Sequence, residues 1–148
     1  MKKLIIVKTK DGKEYDFETF LHKASTPEEQ QIEAEFYEKY SPQKSVPEGI
    51  HYEIEVLLLP ASLTFIQFAR LHVYKSKKNG KEFLCVTIPI PTLEKALEVL
   101  TCWCAGTVYT IETGKDFGLL FKEHGIPNDN FAKLQSALIE HHDITFVG

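Results

Sequence analysis

The side chains best suited to bind or react with a ligand lie in one stretch of the chain, residues 50 to 90. Arg70 is the only arginine, and His72 follows it at the two-residue spacing that puts side chains on the same face of a β-strand. His51 and Glu53 have the same spacing at the start of the stretch. A planar guanidinium beside two imidazoles can bind a carboxylate or a phosphate. Alternatively, His51, His72 and Glu53 could ligate a metal ion.

Three consecutive β-strands are predicted to position these side chains. β-Branched and apolar residues dominate each of them, and turn residues separate them at 60–62 and at Asn79-Gly80. The strands are predicted at Ile50–Leu59, Leu63–Lys75 and Lys81–Ile90. A two-residue turn at Asn79-Gly80 would place Val73 opposite Val86 in the second hairpin.

The register of the first hairpin depends on the length of its loop. A two-residue loop at Ala61-Ser62 places Glu53 opposite Arg70, whereas a three-residue loop places Tyr52 opposite Arg70. We favour the first register because it keeps the apolar residues of the first strand on the same side as those of the second. One sheet face then carries the predicted ligand-binding residues, which are His51, Glu53, Arg70, His72, Tyr74 and Thr87, beside Glu55 and Cys85. The ordinary explanation of such a face is exposure to solvent, because antiparallel sheets commonly keep one face wet.

Three other motifs have structural explanations. Cys102 and Cys104 are about 200° apart on a predicted helix, so they cannot share a metal. We expect them to pack in the core or at an interface, with Cys102 the more exposed. Between Gly106 and Gly114-Lys115 there are seven residues instead of the four of a phosphate-binding loop. His141-His142 lies at a predicted helix C-terminus, where the helix dipole favours cations. We therefore predict no catalytic residue, no metal site and no cofactor.

The remaining chain predicts an α+β fold. Strands Lys2–Thr9 and Glu14–Phe17 are joined by an Asp11-Gly12 turn, and Glu18–Ala24 is ambiguous between irregular chain and a helical turn. Helices are predicted from the Thr26 capping box to residue 40, from Thr92 to Ala105 with Gly106 after its end, between Gly114 and Gly125, and after a cap at Asn128 or Asp129. Further strands are predicted at Thr107–Ile111 and Ile144–Val147. Residues 1–148 should form a single domain, with a mainly antiparallel sheet built on the 50–90 meander and about four helices packed on it.

Composition and charge limit the class of partner. The net charge of −4 argues against nucleic acid, and no run of 18 apolar residues is present that could cross a membrane. With three cysteines and no export signal, we expect reduced thiols and a cytoplasmic location. Acids are concentrated between Thr26 and Glu55, and bases between Arg70 and Lys81.

We therefore expect a non-catalytic binding protein, an inhibitor or regulatory module, that meets another protein through its acidic helix 28–40 or its charged hairpin. A homodimer formed by edge-strand pairing is compatible with this function and with the alternative that follows. The alternative is a small-molecule binder or an enzyme that takes an anionic ligand on the polar sheet face around Arg70 and His72. The sequence leaves open whether the protein is an enzyme.

Overall fold

The structure, a computed structural model, confirms the α+β class. It describes residues 1–40, 42–43, 45–46, 48–58, 60, 73–84, 90–116, 118–127, 130–142 and 144–146, with the backbone alone for 40, 141–142 and 144–146. The strands are β1 Lys2–Thr9, β2 Glu14–Ala24, β3 His51–Leu58, β4 Val73–Lys75, β5 Glu82–Leu84 and β6 Ile144–Phe146. The helices are α1 Gln31–Tyr40, α2 Leu93–Thr113, α3 Leu119–Glu123 and α4 Phe131–His142.

Within the described residues the strands form one antiparallel sheet in the order β4-β5-β3-β2-β1-β6. The β1–β2 hairpin turns at Asp11-Gly12 as predicted, with Gly12 at a φ of 88°. β2 is longer than expected, because Glu18–Ala24 continues the strand and does not form a helical turn. The reason is that Phe17, Thr19 and Leu21 alternate into the core, which a strand alone achieves.

The strand order within the 50–90 region differs from a simple meander, because β5 lies between β3 and β4. At Glu55 and Val56, β3 pairs with β2 on one edge and with β5 on the other. The strand predicted at 63–75 therefore does not pair with β3 there. Residues 61–72, and with them both registers considered for the first hairpin, lie outside the described residues.

The β4–β5 hairpin has a longer loop than the predicted two residues. Val73 is paired with Leu84, so the predicted register was wrong by two residues, although each side chain keeps its predicted face. Ser76 and Asn79 explain the longer turn, because their side chains accept the backbone N–H groups of Lys78 and Lys81.

The main core lies between the sheet and α2. Thr92 caps α2 as predicted, accepting the Lys95 N–H at 3.1 Å. The helix does not end at Gly106 but continues to a C-cap at Gly114, so the strand predicted at Thr107–Ile111 was wrong. The β-branched residues there are helical because Val108 and its neighbours are fully buried, and packing overrides a weak strand propensity.

On the opposite face of the sheet, α1 packs through a smaller aromatic cluster of Phe36, Tyr37 and Tyr74. Its predicted capping box is confirmed, since Thr26 and Glu29 each accept the other's backbone N–H at 3.2 Å. The sheet thus lies between α1 on one side and the core that contains α2, α3 and α4 on the other. Among the described residues, no helix is both long enough and apolar enough to cross a membrane.

Candidate functional site

Three of the six predicted site residues, His51, Glu53 and Tyr74, lie on the sheet face that α1 covers. Arg70, His72 and Thr87 lie outside the described residues, as does Cys85. The face was expected to be solvated, and for the three described residues this was wrong. His51 is 3% exposed, Glu53 9% and Tyr74 4%. The polar face is therefore an internal interface between α1 and the sheet.

Glu33 of α1 connects the helix to β3. Its carboxylate lies 2.8 Å from Nδ1 of His51, and its backbone N–H donates to Oε1 of Glu53 at 3.2 Å. Glu33 is in the first turn of α1, where backbone N–H groups have no partner inside the helix. The Glu53 carboxylate satisfies one of them. The sequence suggested that Glu33 lies on an exposed acidic surface of the helix. In the structure its carboxylate points toward the sheet, where it is paired with the buried His51.

Glu53 is the most perturbed carboxyl group of this interface. Burial raises its pKa to about 7 from an ordinary 4.5, and the nearby charges of Glu33 and Glu29 add to the increase. The N–H of Glu33 and the His51 ring act in the opposite direction without cancelling it. Glu53 therefore exchanges a proton near neutral pH, as general bases and ligand-linked carboxylates do.

Glu35, two residues further along α1, holds the helix to the β4–β5 hairpin. It accepts hydrogen bonds from the Tyr74 hydroxyl at 2.7 Å, the Ser76 hydroxyl at 2.8 Å and the Lys77 N–H at 2.7 Å. Burial acts to raise the pKa of Glu35, but these three hydrogen bonds outweigh it and lower the pKa. The hydroxyl of Tyr74 is thus engaged in anchoring α1, which explains why Tyr74 is buried.

His22 on β2 belongs to the same face and was missed by the sequence reasoning. Its Nε2 lies 2.8 Å from Oε1 of Glu55, and its ring lies between Phe20, at 4.6 Å between ring centroids, and Phe83, at 5.9 Å. The side chain is 34% exposed. The available signal was the two-residue spacing of Phe20, His22 and Ala24, which would have put His22 on one face of a strand had this segment been predicted as one. Its position beside Glu55 depends on the pairing of β2 with β3, which the local pattern does not give.

Two concave spaces meet beside Glu53. A small cavity of about 40 Å³ lies between α1 and the sheet. Its described lining residues are Ile32, Glu33, Phe36, Tyr52, Glu53, Ile54, Tyr74, Phe83, Leu84 and Ile90. An open groove of about 610 Å³ runs from the start of α1 across β2. Ile32, Tyr52, Glu53 and Phe83 line both spaces, so the cavity and the groove are adjacent.

The groove has an aromatic floor and a charged rim. Phe20, His22 and Phe83 lie along the floor, and the exposed Lys23 and Lys81 lie at the side of the strands. Glu28 and Glu29 line the side of α1. Its volume is within the range of 300–1,000 Å³, roughly, that holds a small ligand or a short peptide segment.

Cys102 and Cys104 do not contribute to this site. Cys102 is 1% exposed and Cys104 is fully buried, so both pack in the core as expected, and Cys102 is not the exposed thiol that the sequence suggested. Burial raises the pKa of Cys102 to about 12 and that of Cys104 well above its ordinary value, which leaves both as unreactive thiols in the core.

In the described part of the chain, no group of three or more His, Cys, Asp or Glu side chains is arranged to hold a metal ion. Comparisons of the chain with models of protein families, with characterised proteins and with solved structures find no match.

Proposed function

We propose that this protein is a non-catalytic binding protein and that the groove between α1 and β2 receives a segment of a protein partner. The observation that carries the proposal is the groove itself, which is open, has an aromatic floor and has charges of both signs along its rim. Interfaces combine these features, because aromatic residues supply contact area and rim charges select the partner.

The proposal moves the binding surface away from the acidic helix face that the sequence suggested. Glu33 and Glu35 are engaged with His51 and Tyr74, so they are not offered to a partner. The His51 ring, the obvious general base, is 3% exposed and paired with Glu33. These contacts support a binding function over catalysis at this face.

Charge reversal at the groove tests the proposal. The doubly substituted Lys23→Glu, Lys81→Glu protein and a matched control, Lys122→Glu with Lys133→Glu on α3 and α4, are used with the wild type to purify partners from the native host. All four lysines are exposed, so the folds should be kept. Each partner is then purified and its Kd measured by calorimetry. We expect the groove variant to weaken binding about tenfold or more and the control to change it less than about twofold. A partner that binds both variants equally contradicts the proposal, as does recovery of a metabolite alone.

A small-molecule binder or enzyme is the second candidate, because Glu53 lines both spaces and has a pKa raised to about 7. The carboxylates beside the cavity would repel an anionic ligand there. Arg70 and His72, around which the sequence suggested an anion, lie outside the described residues. Native mass spectrometry of protein purified from the native host tests this candidate. A retained small molecule that is lost in Glu53→Gln supports it, and protein without retained mass contradicts it.

A further inference from the structure

We propose that residues 26–40, which contain α1 and its capping turn, open from the sheet as one unit and that rising pH favours this opening. We call this segment the α1 flap. The sheet and the core that contains α2 stay folded when the flap opens. The opening is a property of the fold and does not depend on a partner in the groove.

The path of the chain allows the α1 flap to leave the sheet without breaking it. β2 ends at Ala24 and β3 begins at His51, and these two residues are paired across the strands. The β2–β3 ladder continues from this pair to Glu18 and Leu58. The flap lies in the chain between the two paired ends, so its opening breaks none of the described strand pairs.

The apolar packing of the α1 flap is small and separate from the main core. Phe36 and Tyr37 of the flap pack with Tyr74 of β4, and Val46 is partly buried against them. The main core lies on the other face of the sheet and shares no member with this cluster. Segments with few buried apolar contacts open at a lower free energy than the whole domain. Opening of the flap therefore uncovers the small cluster and leaves the main core in place.

Polar contacts supply much of the remaining attachment of the flap. Glu35 accepts three hydrogen bonds from the β4–β5 hairpin, Glu33 is paired with His51, and the Gln30 side chain donates to the Ala24 carbonyl at 3.3 Å. Each of these groups can bond to water once the flap is open, so each contributes only modestly to closure. The contacts fix the position of the flap more than they oppose its opening.

Glu53 lies under the closed flap and makes its opening sensitive to pH. The side chain is 9% exposed, and its carboxylate accepts the Glu33 N–H of the flap. The charged or titratable groups around it are Glu28, Glu29 and Glu33 on the flap, His51, Tyr52 and Glu55 on β3, His22 and Lys23 on β2, Tyr74 on β4 and Lys81 beside β5. Burial raises the pKa of Glu53 to about 7 in the closed state, and exposure to water in the open state returns it toward 4.5.

The sign and size of the pH effect follow from these two states of Glu53. The closed state holds a proton that the open state releases, so opening becomes more favourable as pH rises from 4.5 to about 7 and changes little above that. The full difference in pKa would increase the ratio of open to closed molecules about 70-fold between pH 5 and pH 8. Access of solvent from the groove reduces this increase to about tenfold.

Opening also removes one side of the groove, because Glu28, Glu29 and Ile32 belong to the α1 flap. A partner segment bound in the groove would therefore hold the flap closed, and opening of the flap would weaken its binding. This consequence rests on the proposed function, whereas the opening itself does not.

The test is amide hydrogen exchange of the ¹⁵N-labelled full chain, followed by NMR at pH 5, 6, 7 and 8, without any ligand. Each exchange rate is divided by the intrinsic rate at the same pH to give a protection factor. A helix as short as α1 is marginal in water by itself, so its amides exchange once the flap opens. We expect the amides of Ala34, Phe36 and Tyr37 to share one protection factor, at least about tenfold below that of Val99 and Leu100 in α2.

Glu53→Gln and a matched control, Glu38→Gln on the exposed side of α1, are measured in the same way. Protection of the flap amides should fall about tenfold from pH 5 to pH 8 in the wild type and in Glu38→Gln. It should change less than about twofold in Glu53→Gln, which has no carboxyl group to ionise at this position. Protection in α2 should also fall in the wild type, because global unfolding frees Glu53 too, but should stay above that of the flap.

Three results overturn the inference. Equal protection of the flap and α2 amides would show that the flap opens only when the whole protein unfolds. Protection that differs widely among the three flap amides would show fraying in place of opening as a unit. A pH dependence that persists in Glu53→Gln, or a Glu53→Gln protein that is unfolded in its NMR spectrum, would show that ionisation of Glu53 does not drive the opening. None of these results affects the charge-reversal experiment at Lys23 and Lys81, so the two proposals fail independently.

Discussion

Replacing Glu53 by glutamine should stabilise the protein at neutral and alkaline pH. The carboxylate is held between α1 and β3 with a single described hydrogen bond, from the Glu33 N–H at 3.2 Å, and Glu33 itself is a second negative charge beside it. Glutamine keeps an oxygen that can accept the same N–H while removing the buried charge. The substitution thus isolates the energetic effect of ionisation.

The sign of the effect follows from the raised pKa. Between 4.5 and about 7 the folded protein keeps a proton on Glu53 that the unfolded chain releases, so this group makes stability fall as pH rises through that window. The full effect is at most about 3 kcal/mol above pH 7, and access of solvent from the groove reduces it to about 2 kcal/mol. At pH 5 it should be below about 1 kcal/mol.

Urea unfolding of the wild type and of Glu53→Gln at pH 5 and pH 8 measures this difference. We expect the variant to gain about 2 kcal/mol at pH 8 and much less at pH 5. Glu38→Gln, an exposed position on the same helix, should change little at either pH. The reasoning is refuted if Glu53→Gln is less stable than the wild type at pH 8, or if its effect is the same at both pH values.

Three further predictions concern the anchoring of α1 and the core. Glu35→Ala should lower the free energy of unfolding by about 1–2 kcal/mol at pH 7, because three hydrogen-bond donors lose their acceptor. The pKa of Glu35 is lowered in the folded protein, so the difference between variant and wild type should shrink as pH falls below 4.5. Urea unfolding at pH 7 and pH 3.5 measures both effects. Cys102 and Cys104 should resist iodoacetamide at pH 8 in the folded protein and react in guanidinium, as read by peptide mass mapping; rapid labelling of either would contradict their burial. Gly114→Ala should lower the free energy of unfolding by about 1 kcal/mol, because Gly114, the C-cap of α2, has a φ of 75° that alanine adopts only with strain. An added Cβ would meet nothing within 4 Å, so backbone strain is the whole effect, and Gly114→Asn should cost less. Thermal unfolding of both variants measures the difference.

Local sequence signals predicted the elements whose ends are set by local chemistry. Thr26 with Glu29, Thr92 and the Asp11-Gly12 turn act through contacts within four residues, and each was placed correctly. The C-terminal end of α2 was not, because Gly106 resembles a helix terminator. Whether a glycine ends a helix depends on what packs against the next turn, and no local pattern contains that information.

The strand order and the site depended on contacts between distant residues. β3 is buried on both faces from Glu53 to Val56, which either β4 or β5 as its neighbour would satisfy, so the residue pattern alone could not choose between them. The pairings of Glu33 with His51 and of His22 with Glu55 join residues that are 18 and 33 positions apart. His51 and Glu53 were correctly assigned to one polar face, but what covers that face depended on where α1 packs.

The contacts that hold α1 explain why an acidic helix lies on a polar sheet face at all. Two glutamates, Glu33 and Glu35, point inward and are matched by histidine, hydroxyl and N–H donors, whereas Glu53 opposes them without a full set of donors. A glutamine at position 53 would satisfy the same N–H and avoid the buried charge, so the carboxylate is not required for packing. Residues that reduce stability in this way are characteristic of binding and catalytic sites, where a bound ligand offsets the effect.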